Sequence, residues 1–218
     1  MKVLAINGSP RKGKNTAQML SLALQEAERF GAQTELIEIS DYKIEYCQGC
    51  NKCLRQDACS ISDDDGVVLL EKMRNADGIL LGSPVYFGNI TGQLKTLIDR
   101  TRSLHMVRNA LQGKVGGALV QAGLRHGGQE AALAFLEKFL RSQGLILVEG
   151  FEAWGDEDPR SLFASGTIGT LYKDSDEQGK PHWFKGVMED QLTVKACRLL
   201  GQNMVKMIKI LSGTPIKM

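Results

Sequence analysis

The stretch Lys2-Val3-Leu4-Ala5-Ile6-Asn7-Gly8-Ser9-Pro10-Arg11-Lys12-Gly13-Lys14-Asn15-Thr16 decides how the chain folds. Its apolar run from Lys2 to Asn7 is that of a buried strand, and a helical pattern begins at Asn15, runs to Phe30 and is ended by Gly31. Between them lies a short loop, Gly8 to Lys14. A loop that leads from a strand into a helix N-terminus presents unpaired backbone N–H groups and the positive end of the helix dipole, so it suits an anion. Ser9, Asn15 and Thr16 can donate hydrogen bonds, and Arg11 adds a charged planar fork that matches phosphate oxygens. The spaced glycines followed by Gly-Lys-Ser/Thr are missing, as is Gly-x-Gly-x-x-Gly, which disfavours ATP and a dinucleotide of the Rossmann kind. The competing reading is a solvated basic turn in which Asn15 merely caps the helix; the strand-loop-helix context favours phosphate.

Outward from this segment, strand and helix alternate. Thr34 to Ile39 reads as a second strand, a helix runs from the Asp63-Asp64-Asp65 caps to Ala76, and an apolar strand spans Gly78 to Gly82. A helix over Thr91 to Leu104, a strand over Val115 to Gln121, a helix over Gly127 to Gln143 and a fifth strand over Leu145 to Glu149 follow. The alternation predicts an α/β fold with a parallel sheet covered on both faces. Gly150 to Lys185 has no clean period and reads as irregular and partly exposed, whereas Val187 to Leu211 regains helical spacing and is expected to dock onto the sheet. Residues 1–218 are read as one domain, with a cysteine-rich loop at 47–59 and a C-terminal extension at 150–218.

With 218 residues, 43% hydrophobic and 24% charged, the chain can bury a sizeable core and has the composition of a globular protein. A net charge of +2 with no clustered basic face argues against nucleic acid or a membrane as partner. The N-terminal apolar run is too short for a signal peptide and no segment reaches transmembrane length, so a cytoplasmic location is expected.

Two further loops follow strands and so belong to the carboxyl edge of the sheet, where open α/β sheets bind ligands. In Ser83 to Lys95, Pro84, Val85 and Gly88 allow close backbone approach, Tyr86 and Phe87 offer apolar faces to a flat ring, and Asn89 with backbone N–H groups can satisfy a ring's polar edge. Ordinary loop packing of the two aromatics is the alternative. In Ala122 to Glu130, Gly123, Gly127 and Gly128 suit close contact with a ligand, or simply a tight turn. His126 in this loop is read as solvent-exposed, without a catalytic role.

Four of the five cysteines, Cys47, Cys50, Cys53 and Cys59, fall within thirteen residues as Cys-x2-Cys-x2-Cys-x5-Cys. This is no pattern for a secreted disulfide framework, and the spacings of the first three cysteines are those of a ferredoxin-type run, so a [4Fe-4S] cluster is the natural guest. Zinc, which favours two separated pairs or mixed Cys/His sets, and free or oxidised thiols remain open. Cys197, alone in a helical pattern, is read as a small buried apolar residue.

The Gly-Ser-Pro-Arg loop at 8–11 and the Ser83–Arg100 segment resemble those of the flavodoxin-like NAD(P)H-dependent FMN reductases, and with the cysteine motif the resemblance narrows to the iron-sulfur flavoproteins. It covers residues 1–150 and leaves the tail unmatched. The resemblance implies a flavodoxin-like three-layer sandwich with five parallel strands in the order 2-1-3-4-5. It also implies FMN with its phosphate at Ser9, Arg11, Asn15 and Thr16, and its ring at Pro84 to Asn89. Ferredoxin or NAD(P)H as electron donor and a homodimer or homotetramer are further implications. An FMN or quinone reductase without a functional cluster and a redox-sensing regulator are the rival functions.

Overall fold

The computed structural model describes residues 1–150 and 167–213. Its centre is a parallel sheet of β1 (Lys2–Asn7), β2 (Gln33–Glu38), β3 (Gly78–Pro84), β4 (Val115–Ala122) and β5 (Ile146–Leu147), in the spatial order β2-β1-β3-β4-β5. This is the doubly wound flavodoxin-like order that the sequence predicts. The fifth position differs in detail. β5 pairs only with Val115 and Gly116, while the carboxyl half of β4 pairs with a further strand, β6 (Ile168–Thr170), from Val120↔Ile168 to Ala122↔Thr170. One lane of the sheet is thus filled by two pieces of chain.

Side chains alternate across a strand, so β1 feeds two cores. Leu4 and Ile6, with Ile79 and Leu81, pack under α2 (Gly66–Asn75), α3 (Gly92–Arg100) and α5 (Gln129–Ser142). Val3 and Ala5, with Leu80 and Leu119, pack under α1 (Asn15–Arg29) and α6 (Gln191–Leu211). The helix expected over Thr91 to Leu104 is divided at Thr101 into α3 and the short α4 (Arg102–His105). The irregular stretch expected at Gly150 to Lys185 lies partly outside the described residues. Its described part is ordered, holding β6 and an antiparallel hairpin of β7 (Tyr172–Ser175) and β8 (Pro181–Trp183). These strands are three or four residues long, too short to leave a period in the sequence. Among the described residues no helix is long and apolar enough to cross a membrane.

Cys197 is fully buried on α6, and burial pushes its thiol up to about 12, so it behaves as the inert core residue expected. Gly201, on the same helix, lets α6 and α1 touch: a Cβ there would stand 1.9 Å from the Ala23 carbonyl oxygen. Gly201→Ala is therefore expected to force the two helices apart and lower stability by about 1–3 kcal/mol. A fall in the urea midpoint at unchanged m-value is the measurement that checks it.

Candidate functional site

Parallel strands bring the loops after β1, β3 and β4 to one edge. The loop after β1 is held by its neighbours rather than by the helix it enters. Gly8 N–H donates to the Gly82 carbonyl at 2.7 Å, and a Cβ on Gly8 would lie 2.7 Å from Leu94 Cβ, so only glycine fits between β3 and α3. Asn7 Oδ1 accepts from Ser9 N–H at 3.0 Å, and the buried Ser9 hydroxyl accepts from Arg11 N–H at 3.0 Å, which folds the loop back on itself. Glu38, at the end of β2, accepts from Asn7 Nδ2 at 2.5 Å and from Gly13 N–H at 3.0 Å. Lys12 turns aside to Asp41. No side chain caps α1, so its first N–H groups stay directed out of the helix end. Asn15, expected as a donor, has its Oδ1 occupied by Val187 N–H at 3.2 Å; its amide N–H2 remains for the cleft.

The loop after β3 begins with Val85 N–H on the Gln121 carbonyl at 2.9 Å. Tyr86 and Asn89 then exchange backbone hydrogen bonds of 2.8 and 3.0 Å, closing a turn whose two central residues, Phe87 and Gly88, both have positive φ. Phe87 is fully exposed in this conformation, an arrangement that costs a bulky residue about 1–3 kcal/mol and that marks ligand or partner contacts elsewhere. Asn89 Oδ1 accepts from Ile90 N–H at 2.8 Å. The Thr91 hydroxyl joins the first two loops: it donates to the Gly8 carbonyl at 2.5 Å and accepts from Leu94 N–H at 3.3 Å, capping α3.

In the loop after β4, Gly123 stands in open space, whereas Gly127 and Gly128 are constrained by protein. A Cβ on Gly128 would come 2.7 Å from Gly88 Cα, and one on Gly127 2.9 Å from Ala122 Cβ. The buried Gln129 holds this loop, accepting from Gly127 N–H at 2.7 Å and donating to the Leu124 carbonyl at 2.6 Å. Arg125 stacks over Tyr172 at 4.9 Å and so ties the loop to the β7–β8 hairpin, while His126 is exposed as expected. Between the three loops runs a cleft of about 220 Å³. Ser9, Arg11, Asn15, Thr16, Pro84, Val85, Tyr86 and Gly123 all line it. Phe87, Gly88, Asn89, Gly127 and Gly128 stand outside that lining. Lys14, Gln121, Ala122 and Leu171 join it without having been foreseen; Leu171 in particular lies beyond the segment that the resemblance covers.

The cysteine segment projects beside this edge. Cys47, Cys50, Cys53 and Cys59 line a single hollow together with Arg100 and Arg102. Cys50 Sγ lies 3.0 Å from Ser60 Oγ, and this hydrogen bond to an exposed thiol lowers its pKa. Among the described residues no three Cys, His, Asp or Glu side chains converge as the shell of a single metal ion. Of the aspartates expected to cap α2, Asp64 accepts from the Gly66 N–H at 3.1 Å, and Asp64 and Asp65 also close the neck of the loop. Asp65 Oδ2 accepts from Lys43 N–H at 2.7 Å and Asp64 Oδ2 from Glu45 N–H at 2.8 Å. The wholly buried Arg100 bonds both oxygens of Asp64 at 2.5 and 3.1 Å and donates to the carbonyls of Glu45 at 2.9 Å and Ile61 at 3.0 Å. Its role went unread in the sequence, although a charge three residues after Leu97, on the buried stripe of a helix, is the signal that would have found it.

An open sheet in the order β2-β1-β3-β4-β5, with an uncapped helix N-terminus and a cleft along its carboxyl edge, defines a flavodoxin-type flavoprotein. Solved structures agree on the fold: a flavodoxin from Archaea (TM-score 0.56, 17% identity, 96% of this chain and 99% of that one) and the FerB NAD(P)H:acceptor oxidoreductase of Paracoccus denitrificans (TM-score 0.61, 18% identity, 96% and 97%). The NADPH-dependent FMN reductase family matches residues 1–157. An iron-sulfur flavoprotein of Methanocaldococcus jannaschii is 35% identical over 97% of this chain and 99% of its own, and one of Archaeoglobus fulgidus is 37% identical over 94% of each. The chain belongs to the iron-sulfur flavoproteins of the NADPH-dependent FMN reductase family and is an FMN-dependent oxidoreductase. The first of these relatives aligns over 211 residues, so the tail after Gly150, set outside the family pattern by the sequence, is shared by a family member.

Burial alone would raise the Asp64 carboxyl, but the Arg100 guanidinium and the Glu45 N–H outweigh it and hold the pKa below the usual carboxylate range. Asp64→Asn strands a buried guanidinium and is expected to cost about 3–5 kcal/mol at pH 7. A depressed folded pKa contributes stability that is complete above the unfolded value of about 3.9 and is lost as the pH falls through the folded value. Urea unfolding of both proteins is therefore expected to show a gap at neutral pH that closes in acid.

Proposed function

We propose that the chain is a cytoplasmic electron-transfer flavoprotein, folded as one domain, that passes electrons between a [4Fe-4S] cluster and FMN. The observation that carries the flavin half is the cleft itself, where an uncapped helix N-terminus, the cations Arg11 and Lys14 and apolar loop residues meet. Ser9, Arg11, Asn15 and Thr16, with Lys14, would hold the phosphate through charge-assisted and backbone hydrogen bonds. Pro84, Val85, Tyr86 and Gly123 would line the ring, with Phe87, Gly88, Asn89, Gly127 and Gly128 shaping the rim. The donor set fits FMN, since one cationic phosphate site is present and no adenosine-binding fingerprint accompanies it.

The cysteine half fits by the chemistry and placing of its donors. A cubane takes one thiolate per iron, so its four ligands stand around a hollow rather than meet at a point, and four cysteines rim one hollow here. Cys47, Cys50, Cys53 and Cys59 would hold it, and two of them are exposed on a loop that can adjust. When bound, the cluster supplies one-electron and FMN one- or two-electron chemistry. The protein's part is to fix both sites at one sheet edge. Ferredoxin and NAD(P)H are the candidate donors, and a homodimer or homotetramer whose interface covers residues 47–59 would shield the exposed thiols.

A second reading, NADPH-dependent flavin reduction with structural cysteines, is favoured by the family match over residues 1–157. Anaerobic mixing separates the two. Rapid bleaching of bound FMN by NADPH alone, in protein without iron or sulfide, would support the second reading. Purification under exclusion of air is expected to yield iron, acid-labile sulfide and FMN, and stoichiometric FAD would overturn the flavin assignment. Arg11→Ala is expected to weaken FMN binding by about 10-fold or more, the loss of a charge-assisted phosphate contact. Arg141→Ala, on the far end of α5, should leave it unchanged; flavin fluorescence titration reads both.

A further inference from the structure

We propose that Arg100 is the positioning residue of the cysteine centre, its guanidinium fixing the neck of the loop while its Nε–H is kept for a sulfur of the cluster. The inference rests on the cluster reading above. Both terminal nitrogens of Arg100 are spent on the loop: Nη1 on the Glu45 carbonyl, Nη2 on the Ile61 carbonyl, and each also on Asp64. Those two carbonyls lie on opposite sides of the Cys47–Cys59 segment, so one side chain sets how far apart the ends of the segment stand.

The third nitrogen has no such duty. Arg100 Nε is buried and, among the described residues, has no hydrogen-bond acceptor. A buried guanidinium N–H left without an acceptor in good geometry is rare and calls for one on that side. The same side chain lines the hollow rimmed by the four thiols, and Cys59 stands beside its guanidinium. Thiolates and bridging sulfides are anionic acceptors, and hydrogen bonds to them are among the means by which a protein sets cluster potential. A donor held here favours the more negative, reduced state. Lysine would not serve, because its three N–H groups radiate from one point and cannot make the four bonds of the Arg100 terminal nitrogens while leaving another N–H free.

The test compares wild type with Arg100→Lys and with the double variant R100M/D64N, which removes the carboxylate that loss of Arg100 would strand. Each is reconstituted anaerobically with iron and sulfide. FMN content and thermal midpoint report the fold; iron lost to a chelator and the cluster's EPR-monitored midpoint potential report the role. Both variants are expected to retain FMN yet bind the cluster about 10-fold or more less tightly, with a lower potential in R100M/D64N. Variants that match wild type in retention and potential overturn the assignment, as do variants that lose FMN and melting temperature in step with iron, which would make Arg100 a fold clamp alone. Wild-type protein that takes up no iron overturns the cluster reading and this inference with it.

Discussion

The site hangs from the contact between the ends of β1 and β3. There the Gly8 N–H meets the Gly82 carbonyl, the Thr91 hydroxyl meets the Gly8 carbonyl, and Leu94 fills the place where any larger side chain at Gly8 would stand. These groups are buried, so each must find its partner or forfeit about 1–3 kcal/mol of desolvation. The register of the first loop, the start of α3 and the direction of the α1 N-terminus are therefore set together. Glu38 adds the third strand to this junction by bridging Asn7 and Gly13. The anion-facing end of α1 is thus fixed by three parallel strands rather than by its own cap.

Much of this was legible in the sequence, for reasons that differ from element to element. Continuous apolar runs such as Val3 to Ile6 and Ile79 to Leu81 are buried on both faces, and that is what a central parallel strand requires. The strand-loop-helix grammar around Ser9 and Arg11 placed the phosphate-shaped loop, and topology alone carried the loops after β3 and β4 to the same edge. The cysteine spacing was readable because all four residues fall within thirteen positions, and the structure sets them around one hollow. What escaped were features made by distant partners. Gln129 looks like any polar residue opening a helix until its bonds to Gly127 and Leu124 are seen. Asp64 meets the first N–H of α2 as a cap would, yet it and Asp65 also answer backbone groups about twenty residues back along the chain. Gly128, read as close ligand contact or a tight turn, owes its lack of a side chain to a positive φ and to Gly88 packed against it.

The cleft and the cysteine segment are built on different principles. The cleft is assembled from backbone geometry at a sheet edge, and its side chains are mostly small or flexible. The cysteine segment has little regular structure of its own and borrows order from outside. Arg100 and Asp64 grip its neck, and Arg74 clasps Asp57 through two bonds of 3.1 Å. A loop without a core of its own depends on such ionic ties, which hold only where they are shielded from water.

The divided fifth lane of the sheet has an engineering meaning. β5 pairs along the lower part of β4 and β6 along the upper part, so Ile146–Leu147 and Ile168–Thr170 share one lane of the sheet. A connection whose two ends lie in one lane can change length without moving any strand, since doubling a connection costs only about 0.6 kcal/mol of closure entropy. Its return also delivers Leu171 to the wall of the cleft and the β7–β8 hairpin beside Arg125. The edge of the fold is therefore where chain length can vary while the buried sheet stays intact, and the strand on which the chain rejoins the sheet borders the cleft.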